Sequence, residues 1–433
     1  MEPRRFLFVM WEGGGNVPPQ LGLARGLVAR GHQVRVLTEP SLRRDVAATG
    51  ASFGSFTSAP HRQDRAPQRD LVRDFDARTP IGALAATRDR VMLGPARAYA
   101  QDTMAEIERF QPHVLAVDWV LTGAAVAGEA AGVPTAVLMH GNNLLPEPGK
   151  PAPGFGFLPA RSTLGRARDR VLTWIFLRLL DKGLPALNDA RQAFGLRPLG
   201  HALEQLEWPA RLLCLYPAAF DLPADRHPAH LRYVGPVLEQ PAWAEPWRPP
   251  WPPEDRRPLV VVSMSTTYMR QERVLRRCIQ AVASLPVRAL VTVGPTLDPA
   301  AFHGGENVVV ARSAPHDQVF AHAGAVVTHA GMGTVMRALA HGLPLVCLPQ
   351  GRDQHDVAAR VRWHGAGLRL GRGASAARIR AALRRVLDQP SYREAAQRLR
   401  QAIQADLAAN RGVAELEALA AAAAGRIPQE TRP

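Results

Sequence analysis

The sequence predicts an α/β protein with two Rossmann-like domains whose parallel sheets face each other across a cleft. Short apolar runs typical of buried strands alternate with amphipathic helical spacing up to about residue 217, and the same alternation restarts after residue 258. The segment between the two series is too rich in proline for regular structure. With 433 residues, the chain is also long enough for two domains.

The chain opens with a strand–helix–strand unit, which predicts a parallel sheet. Phe6 to Met10 form an apolar run, Gly13-Gly14-Gly15 follow as a turn, and Leu21 to Val28 carry amphipathic helical spacing. Gln33 to Thr38 then give the second strand. Pro18-Pro19 interrupt the glycine spacing, so that no G-x-G-x-x-G pattern can be read and NAD is not expected.

Two later strands of the first domain deliver polar residues where they end. Val114 to Val117 precede Asp118, and Thr135 to Met139 precede His140. Ligands of open parallel sheets bind outside the carboxyl ends of the strands, which makes both side chains candidates for a site. Residues 62–78 carry many charges of both signs and predict a mobile loop facing this cleft or, equally, a plain solvated loop.

The rest of the first domain is helical, and a stiff linker follows it. Residues 161–196 predict long helices with an arginine-rich start and an aromatic-aliphatic face that we expect to pack on the core, with membrane-surface contact as a less favoured alternative. Seven prolines and three tryptophans lie between Gln240 and Pro258. We place the domain boundaries as follows: first domain 1–217, linker 218–258, second domain 259–410, C-terminal helix and tail 411–433.

The second domain repeats the α/β pattern. Its predicted strands lie near residues 259–263, 288–293, 307–311, 325–328 and 345–348, and helical spacing continues from about Ala376 to Ala424. The strand ending at Thr328 runs into a glycine-rich turn and a helix, Thr328-His329-Ala330-Gly331-Met332-Gly333-Thr334. The first N–H groups of a helix have no intrahelical partner and lie at the positive end of its dipole. The turn therefore predicts a phosphate site.

We expect this turn and two neighbouring loops to bind a nucleotide sugar. His329, Gly331, Gly333 and Thr334 are the expected phosphate-binding residues, and Ser265-Thr266, after the first strand of this domain, are likewise expected to donate. After the next strand, Asp353 and Gln354 of the segment Pro349 to Gln354 can hold sugar hydroxyls, because a carboxylate accepts hydrogen bonds and an amide both donates and accepts. This set of donors requires no metal.

Composition argues against several other classes of function. The net charge of +15 comes from scattered arginines, since only Lys150 and Lys182 are lysines, and no basic run is interleaved with aromatics. Nucleic-acid binding is therefore not expected. The three cysteines are far apart in apolar or helical contexts, which indicates reduced core residues and a cytoplasmic protein without a metal motif. The first apolar run is too short for a signal peptide.

Together these motifs resemble the GT-B glycosyltransferases, in the subgroup of macrolide, enediyne and other natural-product transferases and the UDP-glucuronosyltransferases. The resemblance rests on three C-terminal segments and extends to two N-terminal ones: Thr328–Thr334, Ala338–Pro344, Pro349–Val361, Gly15–Leu21 and Gly31–Val34. It implies an inverting, metal-independent transfer of a sugar, with deoxysugars included, from a TDP or UDP donor to a lipophilic acceptor held by the first domain. No cofactor beyond this co-substrate is implied, and either a monomer or a homodimer is expected.

The resemblance also implies roles for two further regions. The segment Ser313-Ala314-Pro315-His316 is similar to the one that holds the nucleobase, although Ser313 stands where many relatives have a stacking aromatic. Asn16 stands where the family usually has the histidine that deprotonates the acceptor, with an aspartate matching Asp118 to orient it. An amide has no usable proton affinity at neutral pH, so Asn16 is not a general base.

Three explanations of the Asn16 departure remain open at this point. Asp118 acts directly as base or assists an acceptor that needs little activation, such as a phenol, an amine or a nucleophilic carbon. Alternatively, His140 supplies the base. In the third, the chain has lost catalysis and binds nucleotide sugars as an auxiliary protein. We expect an active enzyme because the donor motif is intact. A membrane-surface lipid glycosyltransferase is a further alternative.

Overall fold

The computed structural model describes residues 2–77, 79–239, 247–265 and 267–424. It contains two entirely parallel sheets, one in each half of the chain. The first has seven strands in the order β3-β2-β1-β4-β5-β6-β7. Its strands are β1 Arg5–Val9, β2 Gln33–Thr38, β3 Ser52–Ser55, β4 Val114–Asp118, β5 Thr135–Met139, β6 Arg211–Cys214 and β7 Leu231–Tyr233.

The second sheet has six strands in the order β10-β9-β8-β11-β12-β13. Its strands are β8 Leu259–Ser263, β9 Arg288–Thr292, β10 Val308–Ala311, β11 Ala323–Thr328, β12 Leu345–Cys347 and β13 Gly367–Arg369. The central strand β8 is buried along its whole length, as expected for a parallel strand covered by helices on both faces. The two sheets confirm the predicted α/β architecture.

Helices cover both sheets. Those of the first half are α1 Val17–Ala29, α2 Arg43–Ala47, α3 Pro80–Thr87, α4 Ala96–Phe110, α5 Thr122–Ala130, α6 Thr163–Asp181 and α7 Leu184–Ala193. The second half has α8 Glu272–Ala283, α9 His316–Phe320, α10 Met332–Ala340, α11 Gln354–Trp363, α12 Ala376–Asp388, α13 Pro390–Ala409 and α14 Arg411–Ala424. Side-chain caps fix several of their starts; for example, the Ser375 hydroxyl accepts from the Arg378 N–H ahead of α12.

The structure differs from the sequence-based expectations mainly at the edges of the sheets. The strands β3, β7 and β13 are only three or four residues long, which is too short for an alternating or continuous apolar pattern to stand out. Strand β7 lies within the range 218–258 that we predicted as a linker, so the first sheet extends beyond residue 217. Residues 240–246 of that range, including Trp243, are outside the described residues.

Helix α6 does not bury all of the apolar face that we expected to pack on the core. Phe176 is buried, but the Trp174 residue is 58% exposed, and Leu164 and Val171 are also exposed. These three side chains share the outer side of the helix with Arg178, whose guanidinium lies 5.6 Å from the centre of the Trp174 ring. No helix in the described part of the chain is both long and apolar enough to cross a bilayer.

Two elements connect the halves of the molecule. Helix α14 returns to the first domain, where its Glu417 carboxylate contacts Arg30 at 2.6 Å and His32 at 3.0 Å. Helix α11 of the second domain meets the first domain through Arg360, whose guanidinium donates twice to Asp221 Oδ1, at 2.9 and 2.7 Å. Both partners of this ion pair are buried, so the contact fixes the relative position of the two domains at that point.

Candidate active site

Several of the predicted site residues lie at the points where the strand order of each sheet reverses. In the first sheet this point lies between β1 and β4, and in the second between β8 and β11. Loops that leave neighbouring strands in opposite directions open a crevice there, where open parallel sheets bind ligands. Asn16 and Asp118 flank the first crevice, and Ser265 and His329 flank the second.

Asp118 is fully buried at the end of β4, and both of its oxygens have partners. Oδ2 accepts from the amide of Asn16 at 2.7 Å and from that of Gln20 at 2.5 Å. Oδ1 accepts from the Val120 N–H at 3.1 Å and lies 3.4 Å from His140 Nε2. Burial alone would raise the pKa of this carboxyl, but His140, the Asn16 amide and the Val120 N–H together hold the pKa below its usual value. Asp118 is therefore a stabilised carboxylate.

Asn16 does not cap helix α1 with its side chain; it serves Asp118 instead. Its Nδ2 also donates to the Trp11 carbonyl at 2.9 Å. Gln20 stands one turn further along α1 and brings a second amide to the same carboxylate oxygen. The carbonyl oxygens of both amides are buried without a hydrogen-bond partner among the described residues. Both amides thus donate to Asp118, while their carbonyl oxygens accept no hydrogen bond from the described residues.

His140 directly follows β5, the neighbour of β4, and is less buried than Asp118. Its Nε2 lies 3.0 Å from the indole Nε1 of Trp119 and 3.4 Å from Asp118 Oδ1. An indole N–H only donates, so Nε2 accepts from Trp119 in one tautomer of neutral His140 and donates to Asp118 in the other. The shorter distance favours the Trp119 contact in the arrangement seen here.

The turn of the second domain that we predict to bind phosphate has an unusual backbone. Ala330, directly before helix α10, has φ of 70°, a left-handed conformation that an alanine rarely adopts. Gly331 follows with an ordinary φ, but a Cβ on this residue would lie 2.4 Å from His329 Nε2. Gly331 is thus required because the His329 ring packs against its Cα. Around Gly333, by contrast, a Cβ would meet nothing within 4 Å.

His329 and His316 are both neutral imidazoles beside Ser263, the last residue of β8. Burial lowers the pKa of each ring to about 4; for His329 the Ser263 backbone opposes the shift and Arg352 adds to it, and for His316 Arg337 adds to it. The Ser263 hydroxyl lies 3.2 Å from His316 Nε2. A neutral ring has one N–H to donate, and in His329 the Ser263 backbone already accepts from it, so donation to a phosphate requires an exchange of that contact.

The other residues predicted to bind the nucleotide lie on three further segments of the second domain. The Ser265 hydroxyl is 3.0 Å from that of Thr267 and accepts from the Thr267 N–H, so it is engaged within its own loop. Thr266 is outside the described residues. The segment from Ser313 to His316 follows the edge strand β10, with Ala314 and Pro315 buried and Ser313 partly exposed. Thr334 lies in the first turn of α10.

The two predicted sugar-binding residues differ in their surroundings. The Asp353 carbonyl accepts from Asn142 of the first domain at 3.1 Å, and a Cβ on Gly141 would lie 2.7 Å from Asp353 Oδ2. Burial raises the pKa of the Asp353 carboxyl, although nearby His140 opposes the shift. Gln354 is instead occupied inside its loop, where its Oε1 accepts from the Gln350 N–H at 2.8 Å. Asp353 therefore faces the His140 loop, whereas Gln354 does not.

Sequence reasoning missed four residues of this region. Gln20 follows Asn16 at helical spacing, a signal that the pattern contained. Trp119 and the Asp74–Arg352 ion pair had no signal, because their partners lie on other elements and only the fold brings them together. Within the described residues, no three or more His, Cys, Asp or Glu side chains are grouped to hold a metal ion. Independence from metal stays a prediction.

Comparisons with known proteins agree with this geometry. Residues 261–419 match the family described as the C-terminal domain of erythromycin biosynthesis protein CIII-like proteins. The chain is 34% identical over 403 residues to 4'-demethylrebeccamycin synthase of Lentzea aerocolonigenes, which covers 92% of this chain and 94% of that protein. It is 28% identical over 412 residues to the oleandomycin glycosyltransferase of Streptomyces antibioticus, covering 92% of this chain and 86% of the relative.

Solved structures share the whole fold. The glycotransferase of kitacinnamycin superposes with a TM-score of 0.76 at 23% identity, over 96% of this chain and 99% of that one. The glycosyltransferase VinC in complex with DTDP superposes with a TM-score of 0.65 at 19% identity, over 96% and 99%. These neighbours are two-domain enzymes of the kind that the motifs resemble, so the predicted GT-B fold is confirmed.

Proposed function

The chain belongs to the GT-B glycosyltransferases of natural-product biosynthesis, and on that premise we propose that it moves a sugar from a TDP- or UDP-sugar to a lipophilic small molecule by a single inverting displacement. The observation that carries the proposal is the position of His140. This ring contacts the buried carboxylate of Asp118. The loop that begins at His140 also lies against Asp353 of the second domain.

In the donor half of the proposal, helix α10 receives the diphosphate. Its first N–H groups, the neutral ring of His329 and the hydroxyl of Thr334 would stabilise the charge that develops on the leaving nucleoside diphosphate. Gly331 and Gly333 leave room for this approach. Asp353 would hold hydroxyls of the sugar, and the segment from Ser313 to His316 the base. The solved complex of VinC with DTDP supports a thymidine diphosphate among the donors to test first.

In the acceptor half, His140 is the base and Asp118 its orienting carboxylate. Asp118 itself is a poor candidate for direct deprotonation, because it is fully buried and both oxygens already accept hydrogen bonds. A lowered pKa also weakens it as a base. His140 remains partly exposed between the domains and can reach an acceptor. Asn16 then acts only through Asp118, as one of the amides that hold the carboxylate in place.

The tautomer of His140 decides whether it can act. A base needs a free ring lone pair facing the acceptor, which requires the Nε2 proton to point at Asp118 and leaves Nδ1 unprotonated. In the structure, however, the indole N–H of Trp119 donates to Nε2. We therefore infer that acceptor binding turns the half-buried Trp119 side chain away, so that His140 adopts the tautomer whose Nε2–H donates to Asp118.

The step then balances as follows. The acceptor O–H or N–H gives its proton to His140 Nδ1 and its electron pair to the anomeric carbon. The bond from that carbon to the diphosphate oxygen breaks, and the nucleoside diphosphate leaves with the electron pair at the N-terminus of α10. The imidazolium is stabilised by Asp118. Because base and leaving group belong to different domains, one displacement with inversion is the simplest stereochemical course.

The proposal is tested in two stages. Calorimetric titration with TDP, UDP and GDP should show binding of at least one of the first two, in the unmodified protein and in the His140→Ala variant alike. Mass spectrometry of incubations with the matching nucleotide sugars and an acceptor collection should then detect transfer with the unmodified protein and not with the His140→Ala variant. The exposed His201 provides a matched control, and His201→Ala should transfer normally. Nucleotide binding without any transfer or donor hydrolysis would instead identify an auxiliary binding protein.

One observation favours a second candidate, a transferase that meets its acceptor at a membrane surface. The exposed Leu164, Val171 and Trp174 of helix α6 lie beside exposed arginines of the same helix, Arg166, Arg170 and Arg178. Such a face suits an anionic bilayer surface. Sedimentation with anionic vesicles tests it, because the unmodified protein would pellet with them and Trp174→Ala would pellet less. Protein that stays in the supernatant rules this candidate out.

A further inference from the structure

We propose that Asp74 of the first domain is a positioning residue for the sugar site of the second, acting through Arg352. Arg352 directly precedes Asp353, and its guanidinium reaches across the cleft to the short turn at Asp74–Asp76. This inference rests on the proposed role of Asp353 in holding the sugar. It adds that the first domain controls whether that carboxylate is correctly placed.

The contact between the two side chains is bidentate. Arg352 Nε lies 2.7 Å from Asp74 Oδ2, and Nη2 lies 2.9 Å from Oδ1. The Asp74 side chain is 5% exposed and that of Arg352 28%. A paired fork of this kind fixes direction as well as distance, and partial burial reduces screening by solvent. Asp74 can therefore set the orientation of the Arg352 side chain.

Weaker contacts of the same guanidinium add two more loops. Arg352 Nη1 lies 3.4 Å from the Gly13 carbonyl, in the turn ahead of Asn16, and 3.4 Å from the Thr267 hydroxyl. Arg352 thus touches the loop after β1, the loop after β8 and the 74–76 turn while belonging to the loop after β12. These four loops surround the space where acceptor and donor would meet.

The backbone around the contact is strained in a way that a plain surface ion pair does not explain. Arg352 has φ of 53°, Arg73 at the start of the turn 49°, and Arg270 facing the turn 50°. Non-glycine residues adopt this left-handed region only where the surroundings hold them in it. Two other such residues, Gln111 and Asn410, merely end helices α4 and α13. The strain at Arg352 sets the direction in which the chain enters Asp353.

Other contacts hold helix α11 on the first domain. In its second half Arg360 is paired with the buried Asp221, and in its first turn the Asp356 carboxylate accepts from the Gly154 and Gly156 N–H groups at 2.6 and 2.7 Å. With the helix held at these points, the pairing of Asp74 with Arg352 fixes the loop that leads into α11, and with it the direction of the Asp353 side chain.

Asp76, in the same turn as Asp74, provides a control residue for the proposed contact. Asp76 pairs with Arg270 at 3.0 Å, but these side chains are 36% and 59% exposed, so the pair is screened by water. It belongs to the same turn and also crosses the cleft to an arginine, yet it touches neither Asp353 nor its loop. Asp76→Asn therefore removes a comparable charge without the positioning contact.

The experiment compares the affinities for a nucleotide with and without its sugar, using TDP and TDP-glucose and, in parallel, UDP and UDP-glucose. In the unmodified protein the sugar should add about tenfold to affinity in one of the two pairs, as expected for hydrogen bonds to a charged group. Asp74→Asn should abolish this increment while leaving the affinity for the bare nucleotide within about twofold. Asp74→Glu should restore part of it, and Asp76→Asn should keep it.

Several outcomes overturn the inference. An increment that survives Asp74→Asn shows that Asp353 does not depend on Asp74, and an equal loss of affinity for the bare nucleotide shows a general structural effect instead. If the sugar adds nothing to the affinity of the unmodified protein, the proposed role of Asp353 in holding the sugar is contradicted, and the inference fails with it. The measurement needs no acceptor, so it is independent of whether His140 proves to be the base.

Discussion

The two edges of the cleft supply their chemistry in different ways. At the donor edge, most groups expected to bind phosphate come from one continuous strand–turn–helix segment, from Thr328 to Thr334, and many of them are backbone N–H groups. At the acceptor edge, the groups come from three separate places: Asn16 and Gln20 from the start of α1, Asp118 from the end of β4 and His140 from the loop after β5. Only the fold brings the second set together.

This difference shows which parts of a site constrain a sequence locally. A helix N-terminus that receives an anion needs glycine at fixed spacing, and Gly331 demonstrates the reason, because a Cβ there would collide with His329. An acid–base pair needs only two side chains that meet in space. Its histidine can therefore stand at the end of another strand, as His140 does here, and still contact the same carboxylate.

The largest effect is expected from Asp118→Asn, which breaks the acceptor edge alone. Loss of the orienting carboxylate should reduce the turnover rate by about 10³-fold, because His140 would lose both the partner that selects its Nε2–H tautomer and the charge that stabilises its protonated form. The affinity for TDP or UDP should stay unchanged. Turnover at the unmodified rate would show that Asp118 has no part in the reaction.

The next effect is a pH dependence that belongs to the donor edge. The pKa of His329 and of His316 is lowered to about 4, against an ordinary 6.5. Between these values the unfolded chain takes up protons that the folded chain does not, so stability should fall as pH drops from 6.5 to 4, by on the order of 3 kcal/mol for each ring.

Denaturant titrations at pH 7 and pH 4.5 measure the pH dependence of the whole protein, and His329→Gln should reduce it by the share of that ring, on the order of 3 kcal/mol. Burial also raises the pKa of Glu39 to about 7, and that group acts in the opposite direction because its folded form keeps a proton that the unfolded form loses. The difference between the unmodified protein and His329→Gln cancels this contribution. An identical pH dependence in both would contradict a neutral, buried His329.

A smaller effect separates the two glycines of the donor edge. Gly331→Ala should weaken the affinity for the bound nucleoside diphosphate by about tenfold and also lower the melting temperature, since the new Cβ displaces the His329 ring. Gly333→Ala should weaken the same affinity without lowering the melting temperature, because its Cβ meets no protein atom. Equal melting temperatures for the two variants would show that the His329 ring moves aside at no cost.

The sequence predicted more of the fold and of the donor edge than of the acceptor edge. Long buried strands such as β8 and the turn at His329 carry their signal within a few residues, and both stand where they were expected. The three-residue strand β7 and the contact of Asp74 with Arg352 carry none, because each depends on a partner far along the chain. Likewise, the burial that makes Asp118 a poor direct base became visible only in the structure.

The most direct test of the account moves the imidazole between the two strand ends. His140→Ala should reduce transfer by a factor of about 10² to 10⁴. Adding Asn16→His in the same chain should restore part of it, because residue 16 already contacts Asp118 at 2.7 Å. Both variants should bind the nucleoside diphosphate normally. Transfer by His140→Ala at the unmodified rate, with the same donor and acceptor, would contradict the assignment of His140 as the base.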